Sequence, residues 1–567
     1  MIAEEKLRTK LSALYGEQRA DAIYQRIIEV VRGRSFAPLD RLALSERDAM
    51  IIAYGNHVQR HGEPPLETLH KVLHDLALPV SSLHILPFYP YSSDDGFSVI
   101  DFYAVDPALG TWSDIQRLAG DYRLMFDAVF NHVSARSAWF AGFLRAEAPY
   151  SDYFVTAPPD ADLSLVTRPR THPVLTRFET ASGARYVWTT FSADQIDVNA
   201  ANPDVLIELI RALLFYIEQG AQFIRLDAIA FLWKEIGTTC IHLPNTHRVV
   251  QVFRDVLDLV APATILITET NVPHHENLSY FGDGTDEAQM VYQFALPPLI
   301  FHTMRTGDAS RLTEWAKTIA RVSDRTTYFN FTASHDGIGV RPVTGILTDE
   351  EIGSLVRTTL DHGGHVSMKS NPDGTQSPYE LNITYFDAIT SPRITAAKPQ
   401  IAVDRFIVSQ AIMLAMIGVP GIYLHSLLGS RNYHEGVKAT GHYRTINREK
   451  LNADALLDAL AAEGTIRRAV FARYKRLLEI RTGDPAFHPL GGQTVLDVHP
   501  EVFALERTAP DQRSRVIALN NAGAAHLTVM LPDSAGGEWL DLLSDQSFSA
   551  DVPIPLEPYQ IRWLKQV

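Results

Sequence analysis

Along the chain, short runs of β-branched and aromatic residues alternate with longer segments whose apolar positions recur every three or four residues. The short runs are MIIAYG (50–55), SSLHILPFY (81–89), YRLMFDAVF (122–130), FIRLDAIAF (223–231), TILITET (264–270), MVYQFAL (290–296), TYFNFTASH (327–335) and GVPGIYLHS (418–426). Most are nearly continuous in apolar residues, as a strand buried on both faces must be. Between them, NPDVLIELIRALLFYIEQG (202–220) sets apolar residues at 205, 206, 209, 210, 213 and 217, one helical face. Asn202 suits its cap, Pro203 its first turn and Gly220 its end. Eight strands alternating with helices predict an α/β fold, a (β/α)8 TIM barrel over residues 49–484, with its active site at the C-terminal strand ends.

The pattern breaks in four places. Residues 1–48 are charged and helical in period, an N-terminal extension whose helix ends near Gly33. Connections at about 134–201 and 340–398 are too long for simple loops and predict excursions over the active-site face. From 485 to 567 short alternating runs (TVLDVHP, EVFALERT, RVIALNN, HLTVMLP, YQIRWLK) predict a C-terminal antiparallel β domain. The segment FIVSQAIMLAMIGVPGIYL (406–424) is interrupted by Ser409, Gln410, Gly418, Pro420 and Gly421, so it reads as buried helix, turn and strand rather than a membrane span.

Composition narrows the partners. Lys and Arg number 51 against 66 Asp and Glu, a formal charge of −15, which argues against nucleic acid or an anionic membrane. Cys240 is the single cysteine, so no disulfide forms within the chain. The start MIAEEKLRTK has no apolar core of a signal peptide, and a cytoplasmic protein is expected. A homodimer is compatible with the sequence, which carries no signal of assembly.

The chemistry lies at the predicted strand ends. Strand three ends in DAVFNH, with Asp127, Asn131 and His132; strand four carries Arg225 and Asp227; strand five ends in Glu269; strand seven ends in His335 and Asp336. Period 2 puts Arg225 and Asp227 on one face. Taken singly, an Arg-x-Asp pair is more often a structural ion pair, and an Asn-His a satisfied rim group. Three carboxylates from three strands at one mouth are, together, a solution to glycoside cleavage. One attacks the anomeric carbon and another, kept protonated, supplies the leaving oxygen with a proton, at about 5–5.5 Å separation in retaining enzymes. Arg225 would keep Asp227 ionised, while the apolar strand around Glu269 would raise its pKa.

DAVFNH, FIRLDAIAF, ITETN and FTASHD resemble the four signature regions of the α-amylase superfamily, glycoside hydrolase family 13. The resemblance implies Asp227 as nucleophile, Glu269 as acid/base and Asp336 as transition-state stabiliser, with His132, Arg225 and His335 lining the glucose site. It makes 134–201 domain B and 340–398 the B′ excursion. SSDDGFSVIDFYAVDPALG (92–110), RPR (168–170), WTTFSADQIDVN (188–199), WKEIGTTC (233–240), YQFALPPLIFH (292–302), PYELNITYFDA (378–388) and YRTINRE (443–449) are similar to the sucrose phosphorylase subfamily. That subfamily implies Asp94, Phe97, Phe191 and Gln195 around glucose, and Arg170, Tyr379 and Arg444 around phosphate. Guanidinium forks and a phenol suit phosphate geometry.

Two departures argue against sucrose. Phe231 stands where sucrose phosphorylases have tyrosine, and Gln376, Ser377, Pro378, Tyr379 and Glu380 replace their Leu-Asp-Leu-Tyr-Gln loop. TETNVPHHENLSYFG (268–282), NPDGTQSPYELN (371–382) and LLGSRNYHEGV (427–437) resemble the glucosylglycerate phosphorylase branch, whose acceptor is D-glycerate. A carboxylate acceptor asks for a cation; Lys369, Arg431 and Lys438 are the candidates, and Arg431 joins Arg170 and Tyr379 in the expected phosphate and acceptor set. The expectation is a retaining phosphorylase with no metal and no cofactor, phosphate being a co-substrate. The alternatives are a sucrose, sucrose 6-phosphate or glucosylglycerol phosphorylase, a hydrolase or transglucosidase, and a catalytically dead binding protein, against which the intact carboxylates speak.

Overall fold

The computed structural model describes residues 2–34, 36, 44–371 and 373–567. The rest, including 35 and 37–43 of the N-terminal extension and Pro372 of the second excursion, lie outside the described residues. Eight strands form one closed barrel: β1 (Met50–Ala53), β2 (Ser82–Ile85), β3 (Arg123–Ala128), β4 (Ala221–Leu226), β5 (Ile265–Thr268), β6 (Met290–Tyr292), β7 (Thr327–Phe331) and β8 (Val419–Tyr423). All pairs are parallel and run in chain order, with β8 closing on β1. All eight predicted runs are strands, but the ladders stop short of the predicted ends. In the run 223–231, β4 ends at Leu226; Ala228 then takes a left-handed φ of 49°, and Ile229–Phe231 form a 3-10 turn. Past the ladders of β4, β5 and β6, Ala228, Ala230, Phe231, Val272 and Phe294 line the mouth.

The predicted helix runs Pro203–Glu218; Asn202 accepts the Asp204 N–H at its start, and Gly220, with φ 106°, turns the chain into β4. Residues 406–424 split as expected, between the helix Pro399–Ala415 and β8. Among the described residues, no helix is long and apolar enough to cross a membrane.

The two excursions arch over the strand ends. In the first, His132–Ser134 pairs antiparallel with Gln195–Asp197, and Leu175–Thr180 forms a hairpin with Gly183–Trp188. In the second, Gln376–Asn382 is the centre of a three-stranded sheet flanked by Ile338–Gly339 and His365–Ser370. The C-terminal segment forms a six-stranded antiparallel sheet from Gly492–His499 to Ile561–Gln566. At the other end, helices Ile2–Tyr15 and Glu17–Val31 fold into a hairpin at Gly16, whose φ of 86° suits glycine.

Candidate active site

The barrel mouth holds a cavity of about 70 Å³ lined by Asp227, Glu269 and Asp336. Around them stand Asp94, Phe97, His132, Phe191, Gln195, His335 and Arg444, with Arg170 and Tyr379. Of the expected site residues, Arg225 and Arg431 do not line it.

Arg225 lies beneath the floor. Its Nη1 reaches Asp227 Oδ1 at 2.7 Å and also bonds Asp127 Oδ1, and its guanidinium sits 5.4 Å from the Tyr292 ring and 5.7 Å from that of Phe97. Asp127 is fully buried and also takes His84 Nε2 at 2.7 Å. Burial would raise the Asp127 carboxyl, but Arg225 and His84 outweigh it and hold it below the usual range. A permanent anion is therefore built under Arg225, which fixes the fork beside Asp227.

Asp227 and Glu269 share this cation unequally. Burial pushes the Asp227 carboxyl well up, Arg225 opposes, and the Glu269, Asp127 and Asp336 carboxylates add to the push. Burial also raises Glu269, with Arg225 opposing and Asp336 adding. Two desolvated carboxylates that repel one another retain a proton between them. Arg225 is 2.7 Å from Asp227 and 3.9 Å from Glu269, so the charge rests on Asp227 and the proton on Glu269. The Ala228 N–H, freed from the ladder by the left-handed turn, donates to Glu269 Oε2 at 3.1 Å and orients it.

Asp336 is ionised. Burial would raise it, but Arg444 Nη1 at 2.7 Å and, after it, Arg448 pull it below the ordinary range. His335 stacks flat on Phe97 (4.5 Å, 4°), and burial drives its pKa well down, so it is a neutral ring. His132 Nε2 (2.8 Å) and Gln195 Nε2 (3.0 Å) both reach the Phe97 carbonyl. Asp94 and Asp95 hold left-handed φ of 53° and 48°, with Asp95 fixed by Arg448 at 2.8 Å. Non-glycine residues in that region are strained, and the ion pair retains them there.

The cations divide into engaged and free. Arg444 is forked on Glu380, both contacts at 3.1 Å, besides its bond to Asp336. Its guanidinium is thus engaged by two carboxylates at the cavity wall. Arg170 stacks between Phe191 and Tyr379, 5.8 and 5.4 Å from their ring centres, and has no carboxylate partner among the described residues. Arg431 is instead bound to Asp387 at 2.5 Å and lies 5.4 Å from the Phe386 ring, tying its loop to the short helix Tyr385–Ile389. Lys369 bonds Asn371 at 2.8 Å, Lys438 is exposed, and neither lines the cavity.

Sequence reasoning missed several supports. Lys234 is buried, 2.5 Å from Asp197 and 2.7 Å from Asn131 Oδ1, and it also bonds the Phe231 carbonyl, tying the loop after Asp227 to the first excursion. Glu380 also accepts the Gly337 N–H at 2.8 Å, bracing the chain after Asp336. Neither had a strand-end position to reveal it; WKE and YEL only place charges beside apolar residues.

A parallel barrel carrying three carboxylates around one cavity at the ends of β4, β5 and β7 defines a glycoside-processing enzyme of the amylase class. Residues 72–351 match the family described as Alpha-amylase: Alpha amylase, catalytic domain. The chain is 48% identical over 558 residues to the glucosylglycerate phosphorylase of Allomeiothermus silvanus, covering 98% of this chain and 97% of that protein. It is 48% identical over 539 residues to the glucosylglycerate phosphorylase of Spirochaeta thermophila, covering 94% and 91%. In fold it is similar to the crystal structure of sucrose 6F-phosphate phosphorylase from Thermoanaerobacter thermosaccharolyticum, with TM-score 0.75 and 23% identity over 90% of this chain and 100% of that one. The chain belongs to the α-amylase family and, within it, to the family of the glucosylglycerate phosphorylases.

Proposed function

We propose that this chain is a retaining phosphorylase that converts 2-O-α-D-glucosyl-D-glycerate and phosphate reversibly to α-D-glucose 1-phosphate and D-glycerate. Asp227 attacks the anomeric carbon while Glu269 gives its proton to the departing glycerate oxygen, leaving a β-glucosyl ester on Asp227. A phosphate oxygen then attacks the same carbon from the opposite face, Glu269 takes the phosphate proton, and Asp227 is released. Asp336 and Arg444 hold glucose hydroxyls as positive charge develops on the ring. Phe97, His335, His132, Phe191, Gln195 and Asp94 shape the glucose pocket. The cycle needs no cofactor beyond phosphate as co-substrate, and a lone reduced thiol suits the cytoplasm.

The observation that carries a phosphorylase rather than a hydrolase is Arg170. It is a guanidinium beside a buried tyrosine, facing the catalytic cavity with no carboxylate partner among the described residues. Water as acceptor needs no such cation; an oxyanion does. Glycerate as acceptor is supported by the two relatives that share nearly half their residues with this chain.

The test incubates the enzyme with glucose 1-phosphate and, separately, D-glycerate, glycerol, fructose or fructose 6-phosphate, and measures phosphate release. The highest kcat/KM is expected with D-glycerate. Equal use of another acceptor defeats that assignment. Free glucose outpacing glucose 1-phosphate at saturating phosphate defeats the phosphorylase reading itself.

A further inference from the structure

Asn271 lines the catalytic cavity two residues beyond Glu269, on the solvent side of the acid/base in the direction β5 travels. Its side chain makes no hydrogen bond among the described residues, and its Oδ1 is buried without a donor. The amide lies face-on against Gly339. A Cβ on that glycine would come within 2.6 Å of Oδ1, 2.7 Å of Nδ2 and 3.0 Å of Cγ. Gly339 pairs with Glu380 in the second excursion, and the following Val340 N–H bonds the Tyr379 carbonyl at 3.1 Å. Asn271 is therefore clamped between the strand bearing Glu269 and the strand beside Tyr379. Buried amides are normally satisfied, and each one left open asks for a reason. Here Oδ1 is closed off, which leaves Nδ2, a donor only, as the edge turned to the cavity.

We propose that Asn271 Nδ2 donates a hydrogen bond to an anionic oxygen of the acceptor, the glycerate carboxylate or phosphate, and that Gly339 holds the amide in place for it. This rests on the phosphorylase reading above. Asn271 stands where the leaving oxygen departs and the incoming one arrives. A donor there adds to Arg170 without another full charge, and so binds an oxyanion while still letting it leave. The space at Gly339 is demanded by the amide, because no left-handed φ sets Gly339 apart.

The test compares Asn271→Ala with Asn271→Asp, measuring KM for D-glycerate in synthesis, for phosphate in phosphorolysis and for glycerol as a neutral acceptor. Aspartate keeps the shape packed on Gly339 and replaces the donor by a repelling charge. The expected order of KM for the anion is wild type, then Asn271→Ala raised about 10-fold, then Asn271→Asp raised further, with glycerol little affected by the aspartate. Whether glycerate, phosphate or both respond identifies the oxyanion. Asn271→Asp resembling wild type while Asn271→Ala fails means Asn271 only fills space and overturns the proposal. So does equal damage with glycerol. Gly339→Ala should raise the same KM while glucose 1-phosphate hydrolysis to free glucose persists; loss of both also overturns it. If the wild type ignores D-glycerate, the acceptor assignment fails, and the phosphate arm still decides the role of Asn271.

Discussion

At the residue scale, the site turns on how one guanidinium is shared. Arg225 carries a single charge and faces three acids, of which Asp127 is the buried anion that fixes it and Asp227 lies nearer than Glu269. The pH consequence follows from Glu269. Its pKa is raised, so the protonated acid needed for glucoside cleavage persists above the usual carboxylate range and is lost as pH rises through that raised value. Phosphorolysis therefore keeps its rate through mildly acid pH and falls on an alkaline limb. Glu269→Gln should lower kcat/KM for the glucoside by about 100-fold or more and remove that limb from the pH–rate profile. Glucose 1-phosphate, whose leaving phosphate needs less proton assistance, should suffer less. An unchanged alkaline limb in Glu269→Gln assigns it to another group. The meeting of Asp227, Glu269 and Asp336 at one cavity was legible because each sits at a strand end beside recognisable neighbours. The place of Arg431 was not legible, because a cation in an acceptor loop looks alike whether it lines the cavity or, as here, pairs with a buried Asp387.

At the element scale, the N-terminal hairpin has work the sequence did not suggest. Tyr15 is buried, its hydroxyl donates to the Ala200 carbonyl at 2.8 Å, and its ring lies 6.5 Å from Trp233. Ala200 precedes the helix before β4, and Trp233 closes the loop that begins at Asp227. Lys10 pairs with Asp255 at 2.8 Å on the helix Pro244–Val260. The hairpin thus buttresses the loop that follows Asp227 from outside the barrel. Tyr15→Phe should cost about 1 kcal/mol through the lost hydrogen bond. Tyr15→Ala should cost about 3 kcal/mol and lower kcat, read by urea unfolding and by initial rates. A Tyr15→Ala enzyme with wild-type stability and kcat would make the hairpin a mere appendage. Helical period at 1–48 was visible in the chain, but its docking partner was not, since an amphipathic face states only that something covers it.

At the scale of the whole molecule, the C-terminal sheet is built onto the barrel. Phe503, Leu505, Val516, Ala518 and Trp563 belong to the same buried core as the barrel strands, while Val502, Ala504, Ile517, Leu519 and Leu564 form a core on the sheet's other face. Arg507 is fully buried across this junction, donating to the carbonyls of Gly492 (2.9 Å), Ala415 (3.0 Å) and His488 (2.8 Å). Arg507→Met strands three buried acceptors and should destabilise by about 3 kcal/mol. Tryptophan fluorescence and enzymatic activity should then be lost together in denaturant; a fluorescence step that leaves activity intact would show that sheet and barrel unfold separately.

The sequence by itself determined the eight strands, their order and the chemical identity of the groups at their ends. Each of those is written in local periodicity and in short motifs a few residues long. Only the tertiary structure decided which charges meet. It engaged Arg444 with Glu380, left Arg170 facing the cavity, turned Arg431 away and set Asn271 against Gly339. Those pairings join residues from 44 to 209 positions apart, brought together by the two excursions, and no local pattern records them. Whether a buried cation holds a substrate or a neighbouring carboxylate depends on distances of a few ångströms, set by how the loops fold back on the barrel.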